Sequence, residues 1–303
     1  MTESSDRLLS AVALRLTSVA LFAAMNATIK IAETHGAALP EIMFFRQFGA
    51  TLLVCAVVAG GPGYASLATR RIGAHLLRCA VGLSAMALTF ASLLALPLAE
   101  ATTLGFSMPI FATVLGALIL GEPTGWRRWL AVLTGFVGVV IVARPGAGHV
   151  TPWGAACGIA AAACTAAVSV LLRQIGRTER PLTTVFWFST LSLAPLGAVY
   201  ALRMRTHSPG TWGVLLGIGL LGGAAQLAIT GSLARGPVSI VVPMDYSALL
   251  WATLLGWLLF GTLPGAATWL GAPVIIGSGL YIVWREHVRR RAETRAALGQ
   301  GTG

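Results

Sequence analysis

One carboxylate stands inside an otherwise apolar stretch: Asp245, within Pro237 to Leu270, PVSIVVPMDYSALLWATLLGWLLFGTLPGAATWL. An ionised group at bilayer depth costs roughly 3 kcal/mol on insertion scales, so it faces a bundle interior and marks a substrate or ion path by default. There it would meet a substrate ammonium or carry a coupling proton. The competing reading is a carboxylate that only bonds a neighbouring helix or a buried arginine. Helical spacing puts Asp245 on one face with Ala248, Ala252 and Gly256, a small-residue stripe that admits another helix closely.

Pro243 precedes Asp245 by two residues, and Pro109 occupies a similar stretch, Pro97 to Leu130, PLAEATTLGFSMPIFATVLGALILGEPTGWRRWL. Each proline removes a backbone donor and frees a carbonyl one turn earlier, at Ser239 and Gly105. Both are candidates for helix kinks and gating, although proline kinks also occur in membrane helices with no ligand nearby. A cavity for mostly apolar solutes needs aromatics, methionines and a few polar groups. The substrate-binding candidates are Asp245, Tyr246, Ser107, Met108, Met86, Phe90, Asn26, Gln226 and Trp251, with Met25 of the same kind. Arg15 and Arg46 lie close enough to the ends of their apolar runs to snorkel. Arg46, one to two turns after Pro40 and Glu41, is expected to form a local ion pair.

Other chemistries find little support. There is no HExxH, GxSxG or GxxxxGK[ST] motif, and His35, His75, His149, His207 and His287 are scattered. Gly217-Ile-Gly219-Leu-Leu-Gly222 matches GxGxxG but follows no strand. Gly213 with Gly217, and Gly219 with Gly223, fit close helix packing instead. Cys55, Cys79, Cys157 and Cys164 sit in apolar runs as small core residues, so neither a metal site nor a disulfide framework is expected. No cofactor is expected.

The elements that must position these residues follow from composition. Of 303 residues, 56% are apolar and 10% charged, with a mean hydropathy of +0.80. A soluble fold of this size could not cover so much apolar surface. Ten spans can be drawn: about 8–31, 40–59, 74–94, 97–120, 127–143, 152–173, 182–202, 211–234, 237–260 and 266–284. Each approaches the roughly twenty residues that cross a bilayer core. Continuous apolar runs exclude a membrane barrel. Arg7, the apolar run after it and Ala24-Met25-Asn26-Ala27 imitate a secretory signal. Arg15 interrupts that run, so a retained first helix is expected.

The net charge of +11 reads as topology rather than as a nucleic-acid surface, because arginines cluster between spans. Fifteen fall on one side: Arg7, Arg70, Arg71, Arg78, Arg127, Arg128, Arg173, Arg177, Arg180, Arg235, Arg285, Arg289, Arg290, Arg291 and Arg295. Four fall on the other: Lys30, Arg144, Arg203 and Arg205. Both termini are therefore expected in the cytoplasm.

The two quoted stretches align without a gap at a shift of 140, Pro97 on Pro237, Ser107 on Ser247, Gly121 on Gly261 and Trp129 on Trp269. Extending the shift back adds Gly82 with Gly222 and Ser92 with Ser232. Identity is roughly a quarter over about seventy residues, in unbroken register. The expected fold is an all-α integral membrane protein of ten helices in two repeats, 1–149 and 150–286, with a basic cytoplasmic tail over 287–303. An odd number of helices per half makes the repeats inverted, as in many secondary transporters.

Ten helices in two five-helix halves, with a fourth helix reading ALPLAEATTLGFSMPIFATVLGALILGE over Ala95 to Glu122, resemble the drug/metabolite transporter superfamily, specifically its EamA-type exporters. The motif is an A-L-x-x-x-x-A-x-x-L run leading to Pro109 and ending in Gly121-Glu122; the second half departs from it with Leu249 and Thr262. The resemblance implies a transporter of the bacterial inner membrane that moves small metabolites, often amino acids, outward. Helices 1, 3, 4, 6, 8 and 9 would surround a cavity, with 5 and 10 peripheral. Among exporters the chain looks most like the YddG-type, which handle aromatic amino acids. The expected partners are a small-molecule substrate and the lipid bilayer, with a homodimer left open. A membrane enzyme on a lipid-like substrate and a non-transporting subunit are the alternatives.

Overall fold

Apolar segments that meet no water must satisfy their backbone groups internally, and helices do so within one segment. The computed structural model describes residues 2–119, 125–143, 150–176, 178–235 and 242–299, and among them there is no strand. The helices are α1 (Thr2–Thr34), α2 (Leu39–Ala59), α3 (Ile72–Ala95), α4 (Leu98–Gly105), α5 (Met108–Ile119), α6 (Trp126–Ala143), α7 (Pro152–Ile175), α8 (Pro181–Leu202), α9 (Pro209–Arg235), α10 (Ala248–Phe260) and α11 (Ala266–Gly299). Eight segments are long and apolar enough to cross a membrane, and Trp129–Ala143 and Met244–Phe260 are shorter apolar helices where the fifth and ninth spans are expected.

Local chemistry sets the helix ends. Pro40, Pro152 and Pro181 stand in first turns, where an amide has no helical acceptor to lose. Thr151 caps α7 by accepting from the Gly154 amide at 3.2 Å. Glu41 turns back to accept from the Ala38 amide at 2.8 Å, the return arm of a capping box. α10 stops at Gly261, whose φ of +64° suits glycine.

The fourth span is not one helix. α4 ends at Gly105 and α5 begins at Met108, because Pro109 has no amide to continue the ladder. Ser107 Oγ donates instead to the Leu104 carbonyl at 2.6 Å. The same device recurs 140 residues later: a 3-10 turn over Val242–Ser247 contains Pro243, and Ser247 Oγ donates to the Met244 carbonyl at 2.6 Å. The start of the ninth span, with Ser239, lies outside the described residues, as do Gly121-Glu122 and the stretch 144–149 that ends the expected first repeat. At the other end, α11 runs on to Gly299. Residues 287–299, the described part of the expected basic tail, continue the helix because Arg, Ala, Glu and Leu are good helix formers.

α1 packs against α9 and α3 against α7, while α2 packs on α8 and α9, and α6 on α11. The first two pairs exchange under the 140-residue shift, and the α6–α11 pair maps onto itself. The main buried cluster joins α1, α2, α3 and α9 through Ile29, Ile42, Phe90, Leu215 and Ile218. Leu118, Leu250, Trp257 and Leu258 point outwards, as lipid contact requires. Of the expected glycine contacts, a Cβ on Gly213 or Gly217 would meet nothing within 4 Å, whereas Gly219 and Gly223 press against α2. A Cβ on Gly49 would lie 2.5 Å from the Gly219 Cα, so these two backbones touch directly.

Candidate functional site

Three adjoining hollows occupy the middle of the bundle, with volumes of about 340, 220 and 130 Å³. Asn26 of α1 lines all three. The largest is walled by Phe22, Met25, Arg46, Arg78, Met86, Thr89, Phe90, Phe188 and Gln226 among others. The second holds Ser18, Thr102, Phe106 and Asp245, and the third Ser92, Thr102, Gly105 and Thr165. α6 and α11 contribute nothing to the three, while α2 and α8 each contribute one side chain to the largest, Arg46 and Phe188.

Asp245 is not alone. Arg15 Nε donates to its Oδ1 at 2.6 Å and Nη2 to Oδ2, a bidentate pair between α1 and the turn before α10. The side chain of Arg15 is 5% exposed and that of Asp245 40% exposed, so the carboxylate opens to the cavity and the guanidinium does not. Arg15 was expected to snorkel. It is buried instead because a carboxylate at its own depth satisfies it, and a guanidinium fork matches a carboxylate geometrically.

Arg46 departs from expectation too. It is 9% exposed, reaches no membrane surface and forms no pair with Glu41. Glu41 is spent elsewhere: one oxygen accepts from the Ala38 amide and the other faces His207 Nε2 at 3.1 Å. Arg46 donates Nη1 to Gln47 Oε1 on its own helix, and its Nε is buried without a partner. Arg78, counted from sequence among the cytoplasmic charges, turns into the same hollow. Its guanidinium carbon lies 4.0 Å from the Phe188 ring centroid, a cation–π contact. Arg78 Nε and Nη1 are also buried and unpartnered.

Of the candidates read from sequence, Asp245, Asn26, Met86, Phe90 and Gln226 line the hollows, as does Met25. Four do not. Ser107 is fully buried and its hydroxyl is consumed by the Leu104 carbonyl. Tyr246 packs edge to face on Phe106, its hydroxyl end against Gly279 of α11. Met108 is half-buried outside the hollows, and Trp251 is 39% exposed beside Leu250 and Leu254. Pro109 sits in the first turn of α5 and Pro243 in the 3-10 turn, each at a break in its span. Arg46, Arg78, Phe22, Thr89, Thr102, Thr165 and Phe188 are among the lining residues that sequence reasoning missed. An arginine eight positions into an apolar helix, next to a glutamate already committed to an N-cap, was the readable signal for Arg46.

The pattern of the EamA-like transporter family matches this chain twice, over residues 9–144 and 152–284. The chain belongs to the EamA-like transporter family. A riboflavin transporter of Vibrio cholerae is 32% identical to this EamA-family chain over 235 residues, covering 77% of the chain and 78% of that protein. The pseudopaline exporter CntI of Pseudomonas aeruginosa is 29% identical over 278 residues, 89% of this chain and 95% of its own. An S-adenosylmethionine uptake transporter of Rickettsia bellii is 25% identical over 249 residues, 81% and 84% of the two chains. Among solved proteins of this fold is a crystal structure with a TM-score of 0.59 at 20% identity over 91% of this chain and 97% of its own. The EamA-family chain is thus a multi-pass inner-membrane protein of a small-molecule transporter family, and not an enzyme. Its relatives carry chemically unlike solutes in both directions.

Proposed function

We propose that this EamA-family protein is a secondary transporter or facilitator that exports a small metabolite with an aromatic or apolar body, aromatic amino acids first among them, by alternating access. The observation that carries the reading is the central cavity itself. Phe22, Phe90, Phe188, Met25 and Met86 offer apolar walls, while Asn26, Gln226, Thr89 and Thr165, with the two arginines Arg46 and Arg78, offer separated polar groups. That composition suits an amphipathic solute. Two inverted halves, 1–149 and 150–286, would rock about the cavity with both termini in the cytoplasm. The packing pairs that exchange under the 140-residue shift support this, as does the matching break in spans four and nine.

Counterflow in proteoliposomes tests it. Labelled phenylalanine, tryptophan and riboflavin are each offered against the same unlabelled solute, with folding checked beforehand. Exchange of at least one aromatic amino acid is expected. Exchange of riboflavin alone would favour a second reading, prompted by the relative from Vibrio cholerae, and no exchange of any of the three would sink both. Thiol labelling of single cysteines placed at each terminus, from outside and after permeabilisation, reads the orientation.

A further inference from the structure

We propose that Arg46 and Arg78 form an anion subsite within the cavity that takes a carboxylate or phosphate of the transported solute; this rests on the transporter reading above. The two guanidiniums come from different helices, α2 and α3, and line one hollow beside Phe22, Phe90 and Phe188. Arg46 is more than nine-tenths buried. Three of their donor nitrogens, Arg46 Nε and Arg78 Nε and Nη1, are buried without an acceptor. Among the described residues no carboxylate meets either guanidinium.

Arg15 shows what a satisfied guanidinium looks like in this same bundle: comparably buried, it is held bidentately by Asp245. Arg46 has the burial without the counter-charge, and Arg78, half-buried as a whole, has two enclosed nitrogens and no counter-charge either. Two like charges facing one low-dielectric space repel, and their orphaned donors have lost water without replacement. A two-oxygen anion supplies both the charge and the planar set of acceptors that arginine matches best. The surroundings are built for these side chains. A Cβ at Gly222 would come within 3.4 Å of Arg46 Cγ, and one at Gly82 would collide with the Arg78 guanidinium and lie 2.7 Å from Phe188. Gly82 and Gly222 are 140 positions apart, so each half opens one space for one arginine. The ring of Phe188 under Arg78 continues as a wall for the solute body.

The test uses three probes with one ring: benzoate, phenyl phosphate and benzamide. Each is titrated at constant ionic strength into the purified full-length protein while thermal unfolding is followed, since a ligand bound to the folded state raises the unfolding temperature. Benzoate or phenyl phosphate is expected to stabilise the wild type and benzamide is not, and the anion that responds identifies carboxylate or phosphate. Arg46→Gln and Arg78→Gln are each expected to weaken the anion's binding by about tenfold or more. Arg46→Lys, which keeps the charge and preserves folding should glutamine not, is expected to retain part of it. Equal stabilisation by benzamide, no response to either anion, or a response unchanged in both glutamine variants would overturn the subsite. Counterflow read in parallel separates the two claims: aromatic exchange indifferent to solute charge removes the subsite and leaves transport standing. An anion response without any exchange does the reverse.

Discussion

Phe106 and Tyr246 meet edge to face, their ring centroids 5.1 Å apart at 66°. They are 140 positions apart, so each packs on its own counterpart in the sequence repeat. Each also precedes the serine whose hydroxyl closes the break in its span, Ser107 and Ser247. Such a pair contributes about 1 kcal/mol beyond its buried area. Phe106→Ala and Tyr246→Ala are therefore expected to be non-additive, with a coupling of about 1 kcal/mol in a double-mutant cycle read by thermal or denaturant unfolding. Independent effects would show that the two breaks do not support each other.

Asp245→Asn tests the one carboxylate that lines the three hollows among the described residues. It leaves Arg15 buried without a counter-charge, which costs about 2 kcal/mol for a pair whose acid is part-exposed. Transport, or its dependence on pH, is expected to fall as well. The double variant Arg15→Gln/Asp245→Asn removes the stranded charge and is expected to recover stability. If it also recovers flux across pH, Asp245 serves only to hold α1 to the ninth span.

Gly49 and Gly217 make a matched pair for packing. A methyl on Gly49 would collide with the Gly219 backbone, whereas nothing lies within 4 Å of a Cβ at Gly217. Gly49→Ala is expected to destabilise by about 1–3 kcal/mol through forced separation of α2 and α9. Gly217→Ala is expected to be neutral or slightly stabilising, because alanine suits a helix better. The unfolding temperatures of the two variants decide it.

Glu41→Ala removes the acceptor of the Ala38 amide together with the partner of His207. A loss of about 1–2 kcal/mol is expected, with the response to benzoate or phenyl phosphate intact. Were Glu41→Ala to abolish that response, Arg46 and Glu41 would be coupled after all.

Much of this was legible in the sequence. Apolar length located the spans, and proline chemistry located the breaks at Pro109 and Pro243. Polar residues in mid-span, Asn26, Gln226 and Asp245, pointed inwards because hydrocarbon does not accept them, whereas nothing in the sequence separated Phe90 from an ordinary packing residue. Three kinds of information were not legible. Which hydroxyls turn back on their own backbone is settled only when the helix breaks, as for Ser107. Which face a residue takes after a 3-10 turn shifts with its three-residue period, and Trp251 beyond that turn faces outwards. An arginine near the end of a span reads as interfacial on depth alone. Gly222 of α9 leaves room for Arg46, and Gly82, one turn on from Arg78 in α3, leaves room for Arg78 under Phe188 of α8; the parts played by Gly222 and Phe188 appear only once α9 and α8 stand beside α2 and α3.

The contact of Gly49 with Gly219 has a mechanical side. With no side chain between them, α2 and α9 meet backbone to backbone as one strut that carries Arg46 and Gln226 together. Arg78 stands on a different strut, α3 braced against α7. An anion held by both guanidiniums, as proposed above, would tie one strut to the other across the hollow.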